Sequence, residues 1–293
     1  MSLLAWNCRG LGKSHTVRFL KETINYYRPN IIFLSETLVK NKRVAEVCKK
    51  IGFADYFAID AQGHGGGLAL FWKNEGGVKI NNSCSNYIYF EVSNDQVGRW
   101  RYTGIYGYPE RRRRAEVWEM IRGLSQHSTS PWYVIGDFND LMFDTEKRGG
   151  SSHPRSLLQG FSDTVADCGL IDLGFEGECF TWERCRGTDL WIHERLDRGL
   201  ANREWMEFFP NATVKVVDVS TSNHLPLFLD LNKKVYVPKE KRFRFENIWI
   251  HEKDCFNVVN NCWMDMERRD LMQKLAQCCV KLEEWGGGLV KEM

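Results

Sequence analysis

Short apolar runs alternate with amphipathic stretches along residues 1–231. Residues 3–6 (LLAW) are apolar throughout, as expected of a strand covered on both faces. Residues 17–27 carry apolar side chains at helical spacing, and Pro29 closes that helix. Residues 31–34 (IIFL) predict a second covered strand, and 39–50 a second helix. Residues 67–72, 87–92 and 101–106 are rich in β-branched and aromatic side chains and predict three strands with no helix between them. A helix over 111–124, a strand over 132–135 ending at Gly136, and a helix over 157–168 follow. Residues 213–219 and 225–231 predict the last strands.

This order mixes βαβ crossovers with neighbouring strands that can pair antiparallel, which a purely parallel sheet does not accommodate. It predicts an α/β (α+β) domain: a four-layer sandwich of two mixed β-sheets packed face to face, with helices outside. The pattern changes near Lys233. Residues 1–232 form the predicted domain. Residues 233–293 open with a charged, proline-bearing linker (KKVYVPKEKR) and continue as a Trp-rich helical tail too short to fold alone. In that tail Trp249, Trp263 and Trp285 are expected to be covered, and the glycines from Gly286 onward are expected to break the last helix. No internal repeat is present.

Composition narrows the class. Hydrophobic residues make up 43% and aromatics 13% of 293 residues, enough for a sizeable core and too much for a disordered chain. The net charge is +2, so any nucleic-acid site must come from local patches. Ten cysteines lack zinc-finger or disulfide spacing and read as reduced thiols of an intracellular protein. The first residues are too weakly apolar for a signal peptide, and no run of 18 apolar residues predicts a membrane span.

Polar residues gather where predicted strands end: Asn7, Glu36, Tyr106, then Asp137 and Asn139 in GDFND. Asp197 lies in ERLDR, and His224 precedes LPLFLDL. Singly, each has a plain explanation: a turn asparagine, a solvated glutamate, a core tyrosine, a surface ion pair, a structural histidine. GDFND is different, because two acids and an amide directly after a covered strand are costly unless they serve a loop or a site. Together the set contains what phosphodiester cleavage requires. Carboxylates can hold a hard divalent cation, a histidine paired with a carboxylate can move a proton, and neutral amides and a phenol can orient water and phosphate.

In their order, WNCRG, LSET, GIYGYP, GDFND, CFTW, ERLDR and SNHLPL resemble the exonuclease–endonuclease–phosphatase superfamily, whose fold is that of DNase I. WNCRGLG and FRFENIW are similar to the apurinic-type endonuclease domain of plant LINE (non-LTR) retrotransposons. The resemblance implies a DNA-nicking endonuclease that uses Mg2+, or Mn2+ in its place, with a nuclear location. It implies Glu36 as metal ligand with Asn7 beside it, Tyr106 at the phosphate, and Asp137 and Asn139 on the attacking water or leaving oxygen. Asp197 would orient His224, and Thr181 and Trp182 would form a structural and substrate-side element. The family carries Ser-Asp-His where this chain has Ser222-Asn223-His224, so Asn223 is a degenerate metal position and activity is expected to be impaired. No reverse-transcriptase segment follows, and the tail resembles the connector that would precede one, as in a truncated element.

Other features compete. Arg111, Arg112, Arg113 and Arg114 form either a solvated helix face or a phosphate clamp beside Tyr106. Residues 10–14 (GLGKS) lack the first glycine of a Walker loop, and Gly65-Gly66-Gly67 precedes a strand, so no nucleotide cofactor is expected. A phosphatase or lipid phosphodiesterase on the same fold, and a catalytically dead DNA-binding remnant, stand as alternatives. Oligomeric state is not legible in the sequence.

Overall fold

The computed structural model describes residues 1–63, 65–73, 77–94, 98–218, 220–231, 243, 245, 247–264 and 271–289. The linker expected at 233–242 lies outside the described residues, as does Val219. The chain separates into two compact units, Met1–Lys234 and Val235–Met293.

The first unit runs β1 (Ser2–Asn7), α1 (Ser14–Tyr27), β2 (Ile31–Ser35), α2 (Asn41–Ile51), β3 (Asp55–Ile59), β4 (Leu68–Trp72), β5 (Gly77–Cys84), β6 (Tyr87–Asn94) and β7 (Gly98–Tyr106). It continues with α3 (Arg114–Ser125), β8 (Trp132–Asp137), β9 (Lys147–Arg148), α4 (Arg155–Asp167), β10 (Leu170–Asp172), β11 (Trp182–Arg184), β12 (Ile192–Glu194), β13 (Asp197–Asn202), α5 (Arg203–Phe208), β14 (Thr213–Val216) and β15 (Leu227–Asp230). One six-stranded sheet has the order β14-β15-β1-β2-β4-β3, the other β10-β13-β8-β7-β6-β5, and β11-β12-β9 form a small third sheet. In each large sheet one parallel pair, β1–β2 or β7–β8, is joined by a crossover helix and flanked by antiparallel neighbours. The four-layer sandwich expected from the sequence is therefore the fold.

Strand periodicity explains the layers. On β1, Leu3 and Ala5 face the other sheet, packing with Phe33, Leu70, Phe90, Tyr102 and Ile135. Leu4 and Trp6 face outward, against Val17, Leu20 and Ile24 of α1 and Val44 and Val47 of α2. On the other side, Ile105, Trp132 and Val134 lie under Val117 and Ile121 of α3 and Phe161 of α4. Strands covered on both faces account for the uninterrupted apolar runs.

The structure differs from the sequence-based expectation in several places. Four strands, not three, fill residues 67–106, because the alternating β5 has one solvent-facing side and few strong apolar residues. The helix expected over 111–124 starts as a 3-10 turn at Arg111–Arg113 and becomes α-helical at Arg114. In agreement with the rejected Walker loop, Ser14 begins α1 with Lys13 at its N-cap. The second unit contains α6 (Lys253–Met264) and α7 (Leu271–Leu289). α7 runs through the glycines expected to break it, and Gly286 leaves room for the Trp249 ring, where a Cβ would overlap. Trp263 is 37% exposed, with Lys274 over its ring, not covered as expected. All ten cysteines are free. Among the described residues, no helix is long and apolar enough to cross a membrane.

Candidate active site

The two parallel pairs end at the same edge of the sandwich, and their last residues carry the polar groups. Asn7 ends β1, Glu36 follows β2, Tyr106 ends β7 and Asp137 ends β8, with Tyr106 directly opposite Asp137 in the ladder. The antiparallel neighbours deliver the rest: Asp197 begins β13 in register with Asp137, and His224 lies three residues before β15. Two glycines allow this convergence. Gly136 has φ +143°, and a Cβ there would overlap the carbonyl of Ile105; one on Gly107 would overlap Phe138 backbone. Asn139 (φ +52°), Glu36 (φ +49°) and Arg9 (φ +44°) also occupy the left-handed region. That costs a non-glycine residue about 1 kcal/mol or more and collects at functional loops.

At the centre, His224 Nδ1 donates to Asp197 Oδ2 at 2.9 Å. Its Nε2 lies 3.7 Å from Asp137 Oδ2. Asp137 also accepts from Asn7 Nδ2 (2.8 Å), the Asn139 backbone N–H (2.8 Å) and Asn139 Nδ2 (3.2 Å). The Thr181 hydroxyl accepts from the N–H groups of Leu196 and Asp197, and Trp6 Nε1 donates to the His224 carbonyl. Each central side chain is thus fixed by a second one.

Burial sets the proton affinities. Asp137 is pushed up to about 7 by burial and by Asp197, against the pull of His224. Burial works against a charged imidazole at His224, but Asp197 and Asp137 outweigh it and hold the ring at about 9. Burial and the neighbouring Glu36 raise the Tyr106 phenol, so it stays protonated and donates to Glu36 Oε1 at 2.6 Å. Burial raises the Cys8 thiol to about 12, which excludes it as a thiolate nucleophile.

These groups form the floor and underlayer of a cleft of about 710 Å³ lined by Arg9, Lys13, Glu36, Tyr106, Arg184 and Asn223. A smaller cavity of about 290 Å³ lies alongside, lined by Phe180, Trp182, Trp191 and His193 among others. His224 and Asp137 lie beneath the cleft rather than in it, with side chains 4% and 0% exposed.

Two oxygen sets could receive a cation. Ligand atoms of Asp137, Asp197 and His224 lie within 4.8 Å of one another, but the histidine nitrogen is spent on Asp197, and amides already occupy Asp137. The better set is Glu36 with Asn7, whose Oδ1 is buried and has no partner. A carboxylate and an amide oxygen are the donors a hard divalent ion takes, so these residues fit one. Asn223 adds an amide oxygen in place of a charge. Arg9 already stands on this set, with Nε 3.2 Å from Glu36 Oε2 and Nη1 3.0 Å from Asn223 Oδ1.

Of the residues expected from the sequence, Asn7, Glu36, Tyr106, Asp137, Asn139, Asp197, Asn223 and His224 come together. Trp182 lies beside them, 6.5 Å from the His224 ring. Thr181 is buried, with its hydroxyl under the backbone of Leu196 and Asp197, and it lines the smaller cavity with Trp182. The arginine run divides. Arg111 and Arg112 are exposed, while Arg113 covers the Tyr108 ring and pairs with Glu116. Arg114 corrects the clamp: it is buried and donates to Asp140 at 3.0 Å, with His153 at 3.2 Å. Asp140, the second acid of GDFND, therefore anchors α3 instead of serving the cleft. The sequence reading missed Arg9 and Arg184. Arg9 lies two residues after a candidate ligand, a proximity that could have flagged it.

A family model described as Endonuclease/Exonuclease/phosphatase matches residues 4–214. No curated protein matches the chain. Several solved structures share the fold. One is a 3′ phosphatase from Neisseria bound to product DNA hairpin, at 16% identity and TM-score 0.59, covering 79% of this chain and 99% of that one. Another is the endonuclease domain of TRAS1, a telomere-specific non-LTR retrotransposon, at 16% and 0.60, covering 80% and 99%. A third is an AP endonuclease from Leishmania major, at 14% and 0.59, covering 78% and 86%.

Proposed function

The chain belongs to the endonuclease/exonuclease/phosphatase family, and from that premise we propose that it is a divalent-metal-dependent DNA endonuclease of retrotransposon type, weakened by Asn223. The observation that carries this reading is the row Asp197–His224–Asp137, hydrogen-bonded at Asp197 and in ion-pair contact at Asp137, beneath a cleft whose floor holds Glu36 and Tyr106.

Glu36 and Asn7 Oδ1 would hold Mg2+ or Mn2+, and the bound ion would supply positive charge to the phosphate as negative charge builds there. Asp137, drawn toward neutrality by burial, is the group able to take a proton from the attacking water. Asn7 and Asn139 hold its carboxylate in place without adding negative charge. His224 is protonated near neutral pH and keeps its Nε2 proton for a phosphate oxygen, while Asp197 fixes the ring. Water oxygen bonds to phosphorus as its proton passes to Asp137, the bond to the bridging oxygen breaks, and that oxygen leaves with a proton from solvent. The Tyr106 hydroxyl orients Glu36. Lys13, Arg184, Arg111 and Arg112 are candidates for backbone phosphates, consistent with a chain whose total charge is nearly balanced.

The test is nicking of supercoiled plasmid with Mg2+ or Mn2+. Wild type should nick slowly, and Asn223→Asp should be faster by about 10- to 1000-fold, the range of one preorganised electrostatic contact. If both leave the plasmid supercoiled, the nuclease reading is lost. Salt-dependent DNA binding without cleavage would then favour the remnant reading, which the Arg9–Asn223 contact already supports.

A further inference from the structure

We propose that Arg9 is a resident cation that occupies the metal's own oxygens and so sets how tightly a divalent ion binds. This rests on Glu36 being the metal ligand of the function proposed above.

The placement is built by the backbone. The segment after β1 runs along the segment after β2, with Cys8 N–H on Ser35 O, Gly10 N–H on Glu36 O and Leu11 N–H on Thr37 O at 2.8–3.0 Å. This zipper sets Arg9 beside Glu36, and both residues take left-handed backbone. The side chain then bridges two acceptors from distant parts of the chain, Glu36 Oε2 and Asn223 Oδ1. A planar guanidinium suits this bridge, because its nitrogens diverge at a fixed angle.

Charge explains why the arginine can rest there. The acids lining the cleft are Glu36 and Glu183. Glu183 accepts from Arg186 and from Trp191 Nε1. Among the described residues, Arg9 is the ion-pair partner that reaches Glu36, and Asn223 presents an oxygen without a charge of its own. A divalent ion needs the same lone pairs, and two cations on one carboxylate repel. Metal entry requires Arg9 to leave. The Arg9 side chain is 52% exposed, so it can turn into the cleft and release its partners at small cost. Once turned, its charge lies where a substrate phosphate would enter.

Apparent metal affinity is thus the intrinsic affinity reduced by the fraction of molecules with Arg9 withdrawn. Mn2+ titration of the full chain without DNA, with free Mn2+ read by electron paramagnetic resonance, tests this. Arg9→Ala should bind Mn2+ more tightly, on the order of tenfold if the bridged form holds about nine molecules in ten. Arg9→Lys should fall between, since an ammonium cannot span both oxygens. An Arg9→Ala affinity equal to or weaker than wild type, or no Mn2+ site in either protein, overturns the proposal. Glu36→Gln separates it from the reading on which it rests. Loss of the site in that variant upholds Glu36 as ligand whatever Arg9 does; an unchanged site in Glu36→Gln moves the metal elsewhere, and Arg9 has nothing to compete for. Far-UV circular dichroism of each variant confirms that the fold is kept.

Discussion

Two of the buried clusters of charge in the first unit are assembled by opposite rules. Around Glu146 and Asp172, acids and bases are matched. Arg195 donates to Glu146 and Asp172, and Arg198 donates to the same two carboxylates and to the Arg195 carbonyl. Arg198 is fully buried, and its two terminal nitrogens are both engaged. Around His224, the carboxylates of Asp137 and Asp197 press on one imidazole, and an amide oxygen of Asn7 is left without a partner. The difference appears in the proton affinities. The arginines overcome burial and pull Glu146 below its ordinary value, whereas burial and Asp197 push Asp137 up. The first cluster satisfies its carboxylates without a ligand, and its unpartnered atom, Arg198 Nε, is a donor, while the second still has negative charge and a lone pair to offer a cation.

The largest effect expected from this contrast lies in the second cluster. His224→Ala should lower plasmid nicking by about 10²- to 10⁴-fold, the usual contribution of a positioned acid–base group. The cut also takes a buried partner from Asp197 and Asp137, so its unfolding free energy should fall as well, and nicking is read on protein shown to be folded by far-UV circular dichroism. A variant that nicks as wild type would remove the imidazole from the chemistry.

Arg198→Met should lower stability without touching the groups at the cleft. It strands Glu146 in the interior beside a single remaining arginine, a loss of about 3–5 kcal/mol when one partner of a buried pair is removed. Urea unfolding at pH 7 measures it. A change below 1 kcal/mol would mean that water reaches the cluster and that it is not the closed structural device described above.

The two clusters also differ in how visible they were. The edge of the sandwich was legible, because covered strands announce themselves as apolar runs and the polar residue ending each run stands out. Asn7, Glu36, Tyr106 and Asp137 were found in that way. The matched cluster was not, since Glu146, Asp172, Arg195 and Arg198 come from segments that local periodicity does not connect. ERLDR looked like an exposed ion pair, yet Asp197 turns to His224 while Arg198 turns to Glu146, as neighbours on a strand must. GDFND was legible as a site, but not the division of its acids, because the sequence does not say which side of the loop meets α3. Arg9 was missed for a related reason: its direction depends on a left-handed turn and on a partner more than two hundred residues away.

The smallest effect separates the clusters most cleanly, because its sign differs. Glu146 has a lowered pKa, so its contribution is present above its unfolded value near 4.5 and is lost as pH falls through the folded value. Asp137 has a raised pKa, so its contribution is present below its unfolded value near 3.8 and is lost as pH rises through about 7. Glu146→Gln should therefore be less stable than wild type by a margin that stays flat from pH 6 to 8 and closes below about 4.5. Asp137→Asn should gain steadily on wild type as pH rises from about 4 to about 7, by on the order of 1 kcal/mol or more. His224, raised to about 9 in part by Asp137, loses its own contribution as pH rises from its unfolded value near 6.5 through about 9, so the Asp137 margin is read below pH 6.5, where the imidazole is protonated folded and unfolded. Urea unfolding of the three proteins at half-unit steps measures both margins. Should they open and close over the same pH interval, the two clusters would share one electrostatic balance, and the unpaired charge at the cleft could not be assigned to function.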